Sequence, residues 1–248
     1  MKKRKLIIFA VIAAIILTVG SSAAVLWYLG CFQTDPASLG YTVKGVDVSE
    51  YQGEIDWQQL SSQGIDFAFI KATEGSSYTD ERFSYNLEES GKTCLRRGYY
   101  HFFSFESAGK TQAENFIRNV PVDPDMLPPV IDVELYGRFK ADPPDAETVA
   151  KELSDMIEAL TEHYGQRPIL YTTGISYSLY VKGRYDDLPV WTRSVRRPPS
   201  SSDWTFWQYS CTTKLDGYNG KEKYIDMNVF SGSSEEFSGY NTYITEEK

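Results

Sequence analysis

A chain of 248 residues suits one large domain or two small ones, and a 42% hydrophobic content fills a sizeable core, which excludes a disordered chain. Twenty-five Lys and Arg against 34 Asp and Glu give a net charge of −9, without the basic footprint that a nucleic-acid partner needs. Two His and three Cys, with no CxxC or HExxH spacing, argue against a zinc site and exclude a disulfide framework, so no metal or other cofactor is expected.

Lys2, Lys3, Arg4 and Lys5 form a basic tail (1–5) expected to stay in the cytoplasm. The uncharged run 6–30 that follows is longer than the roughly 20 residues a helix needs to cross a bilayer. With Trp27 and Tyr28 at its far end, it predicts a membrane anchor through residues 6–29 and an extracytoplasmic remainder. The alternative is a signal peptide cleaved near Ser21-Ser22-Ala23, which would release a secreted form. A lipid on Cys31 fits less well, because Tyr28-Leu29-Gly30 lacks the usual upstream small residue. After a linker (31–40), apolar or aromatic runs predict eight strands at 44–48, 66–71, 98–103, 129–134, 168–172, 189–193, 205–209 and 224–229. Helical spacing predicts helices near 56–63, 82–96, 110–119 and 146–164, the last ending at Gly165. Strands separated by helices imply a parallel sheet, and eight of them in under 200 residues imply an α/β barrel with fewer than eight helices. The segment 233–248 reads as a polar tail.

In a parallel barrel the chemistry sits at the C-terminal strand ends. Asp47 closes the first strand and Asp132 with Glu134 the fourth; the i, i+2 spacing turns both carboxyls to one face. Asp226 adds a fourth carboxyl from the eighth strand. Neighbouring carboxylates repel, so one keeps its proton to higher pH, and a neutral acid beside an ionised one is what glycosidic cleavage requires. An aromatic content of 15%, with 18 Tyr and 5 Trp, suits a surface that stacks on sugar rings. Tyr100, Tyr171, Trp191 and Gln208 near strand ends are candidates for sugar contact, with core packing as the alternative for the tyrosines. Lys71 and Glu74 either position substrate or form a structural ion pair. His101 reads as a core histidine, Cys94 as a buried apolar filler, and Ser49 lacks the nucleophile elbow and histidine of a serine hydrolase.

The stretch Gly45-Val46-Asp47-Val48-Ser49-Glu50-Tyr51-Gln52-Gly53-Glu54-Ile55-Asp56-Trp57, followed by Phe69-Ile70-Lys71-Ala72-Thr73-Glu74-Gly75, resembles the N-terminal signature of the family 25 glycoside hydrolases, the Chalaropsis-type lysozymes. Gly98-Tyr99-Tyr100-His101-Phe102, Val130-Ile131-Asp132-Val133-Glu134, Pro189-Val190-Trp191, Trp204-Thr205-Phe206-Trp207-Gln208-Tyr209 and Ile225-Asp226-Met227-Asn228-Val229-Phe230 continue the resemblance in order and spacing over 41–232. It implies an irregular, flattened β/α barrel, N-acetylmuramidase activity on peptidoglycan without metal, a monomeric catalytic domain, and a groove lined by Asp47, Asp132, Glu134 and Asp226 with Glu134 as general acid. The chain departs from the family after Trp191, where Thr192-Arg193-Ser194-Val195 replaces a small residue and an aromatic, so that rim is expected to meet a different substituent. The alternative to a hydrolase is a catalytically silent wall-binding scaffold; retention of all four acids favours catalysis.

Overall fold

The computed structural model describes residues 9, 12–13, 15–22, 34–200 and 203–243. The basic tail 1–5, Trp27, Tyr28, Cys31 and the last five residues lie outside these, as does more than half of the 6–30 run; its described residues are helical. Among the described residues no helix is long and apolar enough to cross a membrane.

Nine strands share one sheet: β1 (Lys44–Val48), β2 (Phe67–Glu74), β3 (Tyr78–Thr79), β4 (Arg96–Phe102), β5 (Val130–Val133), β6 (Ile169–Thr172), β7 (Val190–Arg193), β8 (Phe206–Thr213) and β9 (Ile225–Phe230). The order β1-β9-β8-β7-β6-β5-β4-β2 closes through a parallel β1–β2 pairing, giving an eight-stranded barrel on which β3 rides as an antiparallel flap of β2. The eight predicted strands are these eight.

The expectation of an all-parallel barrel fails at β9, which pairs antiparallel with both β1 and β8. Only residues 214–224 separate β8 from β9, and they hold no helix. A parallel return needs a crossover of about a dozen residues or more, usually helical, so β9 comes back in the opposite sense. One end of the barrel therefore gathers the C-terminal ends of seven strands and the N-terminal end of β9.

Strand alternation sorts the core into two layers. Outward residues such as Val46, Val48, Ala68, Ile70, Ile131 and Val133 are buried under the helices. Inward residues Phe67, Phe69, Val130, Ile169, Trp191, Phe206 and Phe230 fill the lumen. Two inward glycines make room for these rings: a Cβ on Gly45 would lie 2.3 Å from the Phe67 ring, and one on Gly98 2.5 Å from the Phe69 ring.

Helices α1 (Trp57–Ser61), α2 (Phe83–Ser90), α3 (Gly109–Asn119) and α4 (Ala146–Tyr164) cover the outside, followed by a single turn α5 (Gly174–Ser176) that runs into a wide π turn. The α4 boundaries follow from its sequence. The Asp145 carboxylate accepts from the Thr148 N–H at 2.9 Å, Val149, Leu153, Met156, Leu160 and Tyr164 bury one face, and Gly165 ends the helix with φ 65°. The predicted helix 82–96 stops at Ser90, and Cys94 lies exposed in the turn that follows, not buried as expected. Cys94 and Cys211 are free thiols.

The segment from Ser231 is more than a polar tail. Ser233 and Glu236 form a capping box that starts α6 (Ser234–Ser238), and Phe237, 6% exposed, packs on Phe67 and Phe230. Arg96 donates to the carbonyls of Phe237 and Tyr240, so residues through Tyr240 plug the barrel at the end away from the acids.

Candidate active site

The acids converge because of where each sits in the closed sheet. Asp47 is the fourth residue of β1 and Asp226 the second of β9, and antiparallel pairing sets them directly opposite each other. Asp226 does not close its strand; it reaches the site because β9 runs backwards. Asp132 pairs in register with Phe102 and Tyr171. Glu134, the residue after β5, repeats its orientation two positions on. Together they face a cavity of about 350 Å³, also lined by Lys71, Tyr100, Tyr171, Trp191 and Gln208. Nine of the ten residues singled out in the sequence thus meet at one place. The tenth, Glu74, stands off the wall and pairs with Lys71 at 2.7 Å.

Two amides fix the acid pair on β1 and β9. The Tyr171 hydroxyl donates to Gln208 Oε1 at 3.0 Å, which turns the Gln208 NH₂ toward Asp47 Oδ2 at 2.9 Å and Asp226 Oδ2 at 3.1 Å. In the same way Trp191 Nε1–H donates to Asn228 Oδ1 at 2.8 Å and orients the Asn228 NH₂ onto Asp47 at 2.8 Å. Asn228 was not singled out in the sequence, although it lies two residues after Asp226 on the inward face of IDMNVF. Trp191 is 2% exposed and stacks on Phe69 with centroids 4.4 Å apart, so its ring is committed to the lumen and its edge to this network. Tyr51 and Tyr224 stand exposed at the mouth; neither strand pattern nor spacing marks them.

Burial dominates the electrostatics. It raises Asp47 to about 6 against the pull of Asn228 and Gln208, and it raises Asp226, helped by the Asp47 charge, to about 8. Asp132 is held well above the usual carboxylate range by burial and by the Glu134 charge. Glu134 is raised by burial and partly restored by Arg193, Lys140 and Lys71. Asp132 Oδ1 is buried without a hydrogen-bond partner among the described residues. A fully buried acceptor of this kind is costly unless something else supplies the donor. Among the described residues no cluster of His, Cys, Asp and Glu could hold a metal ion.

Residues 46–218 match the family described as Glycosyl hydrolases family 25. The chain belongs to glycosyl hydrolase family 25. A family 25 glycosyl hydrolase of known structure from Bacillus anthracis shares 57% identity, with a TM-score of 0.77 over 82% of this chain and 94% of that one. Lysozyme M1 of Streptomyces globisporus is 33% identical over 77% of this chain and 69% of its own. The uncharacterized protein YegX of Escherichia coli O6:H1 is 36% identical over 85% of this chain and 77% of its own. Asp226 lies on β9, beyond the matched residues, and pairs in register with Asp47. The flattened, irregular barrel implied by the sequence is the family 25 fold, carried here by eight barrel strands with an antiparallel last one.

Proposed function

We propose that this family 25 protein is an N-acetylmuramidase that hydrolyses the β-1,4 bond between N-acetylmuramic acid and N-acetylglucosamine in peptidoglycan. The observation that carries the reading is the pairing of buried Asp132 with half-buried Glu134, where Asp132 Oδ1 lacks any donor among the described residues. Two raised carboxyls side by side hold one proton between them to higher pH than an isolated carboxyl would. When the muramyl acetamide enters, its N–H donates to Asp132 Oδ1, favours the ionised form of Asp132, and leaves the proton on Glu134. Glu134 then protonates the glycosidic oxygen as the C1–O bond breaks, and the acetamide oxygen attacks C1. Asp132 stabilises the positive oxazolinium-like ring, and the Glu134 carboxylate takes a proton from the water that opens it. Asp47 and Asp226, held by Gln208 and Asn228, set the field on the opposite wall. Lys71, Tyr100, Tyr171 and Trp191 shape the pocket around the sugar, with Glu74 placing the Lys71 ammonium.

The basic tail and the 6–30 run support a membrane-tethered enzyme acting on the extracytoplasmic, cell-wall side, within reach of nearby glycan only. The deciding experiment is mass analysis of purified peptidoglycan after incubation with the full chain in detergent. Fragments with muramic-acid reducing ends are expected. Unchanged glycan that retains bound protein would replace this reading with a silent wall-binding module, and N-acetylglucosamine reducing ends would assign a different bond.

A further inference from the structure

A second cavity, of about 450 Å³, lies on the outer side of β7. It combines three cations, Lys182, Arg193 and Arg197, with apolar walls from Tyr177, Pro198 and Trp204. No ion pair among the described residues involves any of the three cations. Asp203 is the one acidic residue on the same lining, against three cations. In a chain of net charge −9 a hollow of this size with three cations against one carboxylate is a site for an anion.

Arg193 joins this hollow to the acid pocket. It is the last residue of β7, in register with Gln208 of the acid network, and its Nη2 lies 3.6 Å from Cys211 Sγ on the acid pocket's wall. Its charge is felt by Glu134, Asp47 and Asp226. Beside Trp57 the charges run the other way: that hollow carries Glu54, Asp56 and Glu89, of which Glu54 is paired with Arg82 at 3.7 Å. An acidic group leaving the acid pocket is therefore drawn over β7 rather than toward the hollow beside Trp57.

We propose that the cavity behind β7 binds the acidic peptide stem that muramic acid carries on its lactyl ether. The proposal rests on the muramidase reading, since it takes its ligand from the sugar placed there. The lactyl ether leaves C3, next to the C2 acetamide assigned to Asp132, so the stem emerges within a residue's length of the pocket mouth. Peptide carboxylates meet Lys182, Arg193 and Arg197, and small apolar side chains lie on Tyr177, Pro198 and Trp204. A phosphate-bearing wall polymer would use the cations alone and leave these walls idle. The Thr192-Arg193 departure from the family pattern is the sequence trace of this site.

The test uses the full chain in detergent and two exposed residues that do not line the acid pocket, in the double variant K182A/R197A. Calorimetric titration with N-acetylmuramyl pentapeptide should show affinity at least about tenfold weaker in the variant, since each lost charge-assisted contact is worth roughly a factor of ten. With peptidoglycan as substrate, the ratio of kcat/KM on stem-bearing glycan to that on amidase-stripped glycan should fall by a similar factor. Equal affinity and an equal ratio in parent and variant would overturn the proposal. So would variant-sensitive binding of a glycerol-phosphate oligomer without binding of the muramyl peptide, which would assign the cavity to wall-polymer phosphate. If the parent binds the muramyl peptide but cleaves neither glycan, the muramidase reading falls and the stem site stands.

Discussion

Asp226→Asn should stabilise the protein in a strongly pH-dependent way. The carboxyl is raised from 3.8 to about 8 by burial and by the Asp47 charge, so the folded state holds this proton where the unfolded state has released it. The sign follows from linkage. Asp226 costs nothing below pH 3.8, where both states are protonated, and stability is lost progressively as pH rises toward 8. At pH 7, about three pH units above 3.8 and at ~1.4 kcal/mol for each, the ionisable Asp226 costs on the order of 4 kcal/mol. Asn keeps the size and an oxygen that can accept the Gln208 N–H now given to Asp226 Oδ2, but has no proton to lose. Calorimetric melting at pH 7 should therefore show the variant higher by roughly 10 °C, taking about 2–4 °C per kcal/mol for a domain of this size. At pH 4 the two melting temperatures should converge. A gain of equal size at both pH values, or none at pH 7, would falsify the placement of a raised carboxyl at Asp226. Peptidoglycan cleavage should fall in the same variant, because stability is regained by removing a charge of the site.

Glu134→Gln keeps size and shape but cannot transfer a proton, so turnover should drop by about 10²–10⁴-fold with the melting temperature no lower; activity within a few-fold of the parent would remove Glu134 from the chemistry. Peptidoglycan whose muramic acid has been N-deacetylated should resist cleavage, and a glycosyl ester trapped on Asp132 would instead establish direct nucleophilic attack. A Cβ on Gly109 would lie 1.8 Å from the Glu152 carbonyl oxygen, so Gly109→Val forces α3 and α4 apart. We expect a loss of about 1–3 kcal/mol, read from denaturant unfolding, and an unchanged midpoint would contradict this packing. External protease on wall-stripped cells should release a fragment starting near Thr34 from a chain that beforehand sediments with membranes, whereas a soluble form starting near Ala24 would show signal cleavage.

How far the sequence reaches depends on whether a feature is periodic or assembled. The α4 helix spans the residues predicted from its cap, its apolar spacing and Gly165, because all three are local. The inward set is also local: Asp132 and Glu134, or Asp226 and Asn228, share a face through the two-residue repeat alone. Strand direction is not local. Asp226 was expected in the site from an eighth strand taken as parallel, yet it lies at the start of an antiparallel β9, and the short 214–224 connection was the signal that this strand turns back. Phe237 and Tyr240 look like stray aromatics in a polar tail until the barrel end that they cover exists. Trp191 shows the limit for roles: its position near the acid pocket is legible, but that its face stacks on Phe69 and its Nε1 steers Asn228 follows only from the closed lumen.

The layering of that lumen also explains why the acids are raised. Phe67, Phe69 and Phe206 meet with centroids 5.1 to 5.6 Å apart directly beneath the carboxyl layer, and Gly45 and Gly98 let these rings cross the lumen without displacing the strands. The floor under Asp47, Asp132 and Asp226 is therefore dry, and a carboxylate there loses hydration on one whole side. The protein answers with neutral amides on one wall, from Gln208 and Asn228, while of the cations that act on Glu134, Lys71 is bound to Glu74 and Arg193 lies against Cys211 at the end of β7. A lysine or arginine driven into the floor would have stabilised the fold by ionising every acid, and would have left no proton to give. Amides orient Asp47 and Asp226 without discharging the proton store on Asp132 and Glu134, which is the condition that acid-catalysed glycoside cleavage sets.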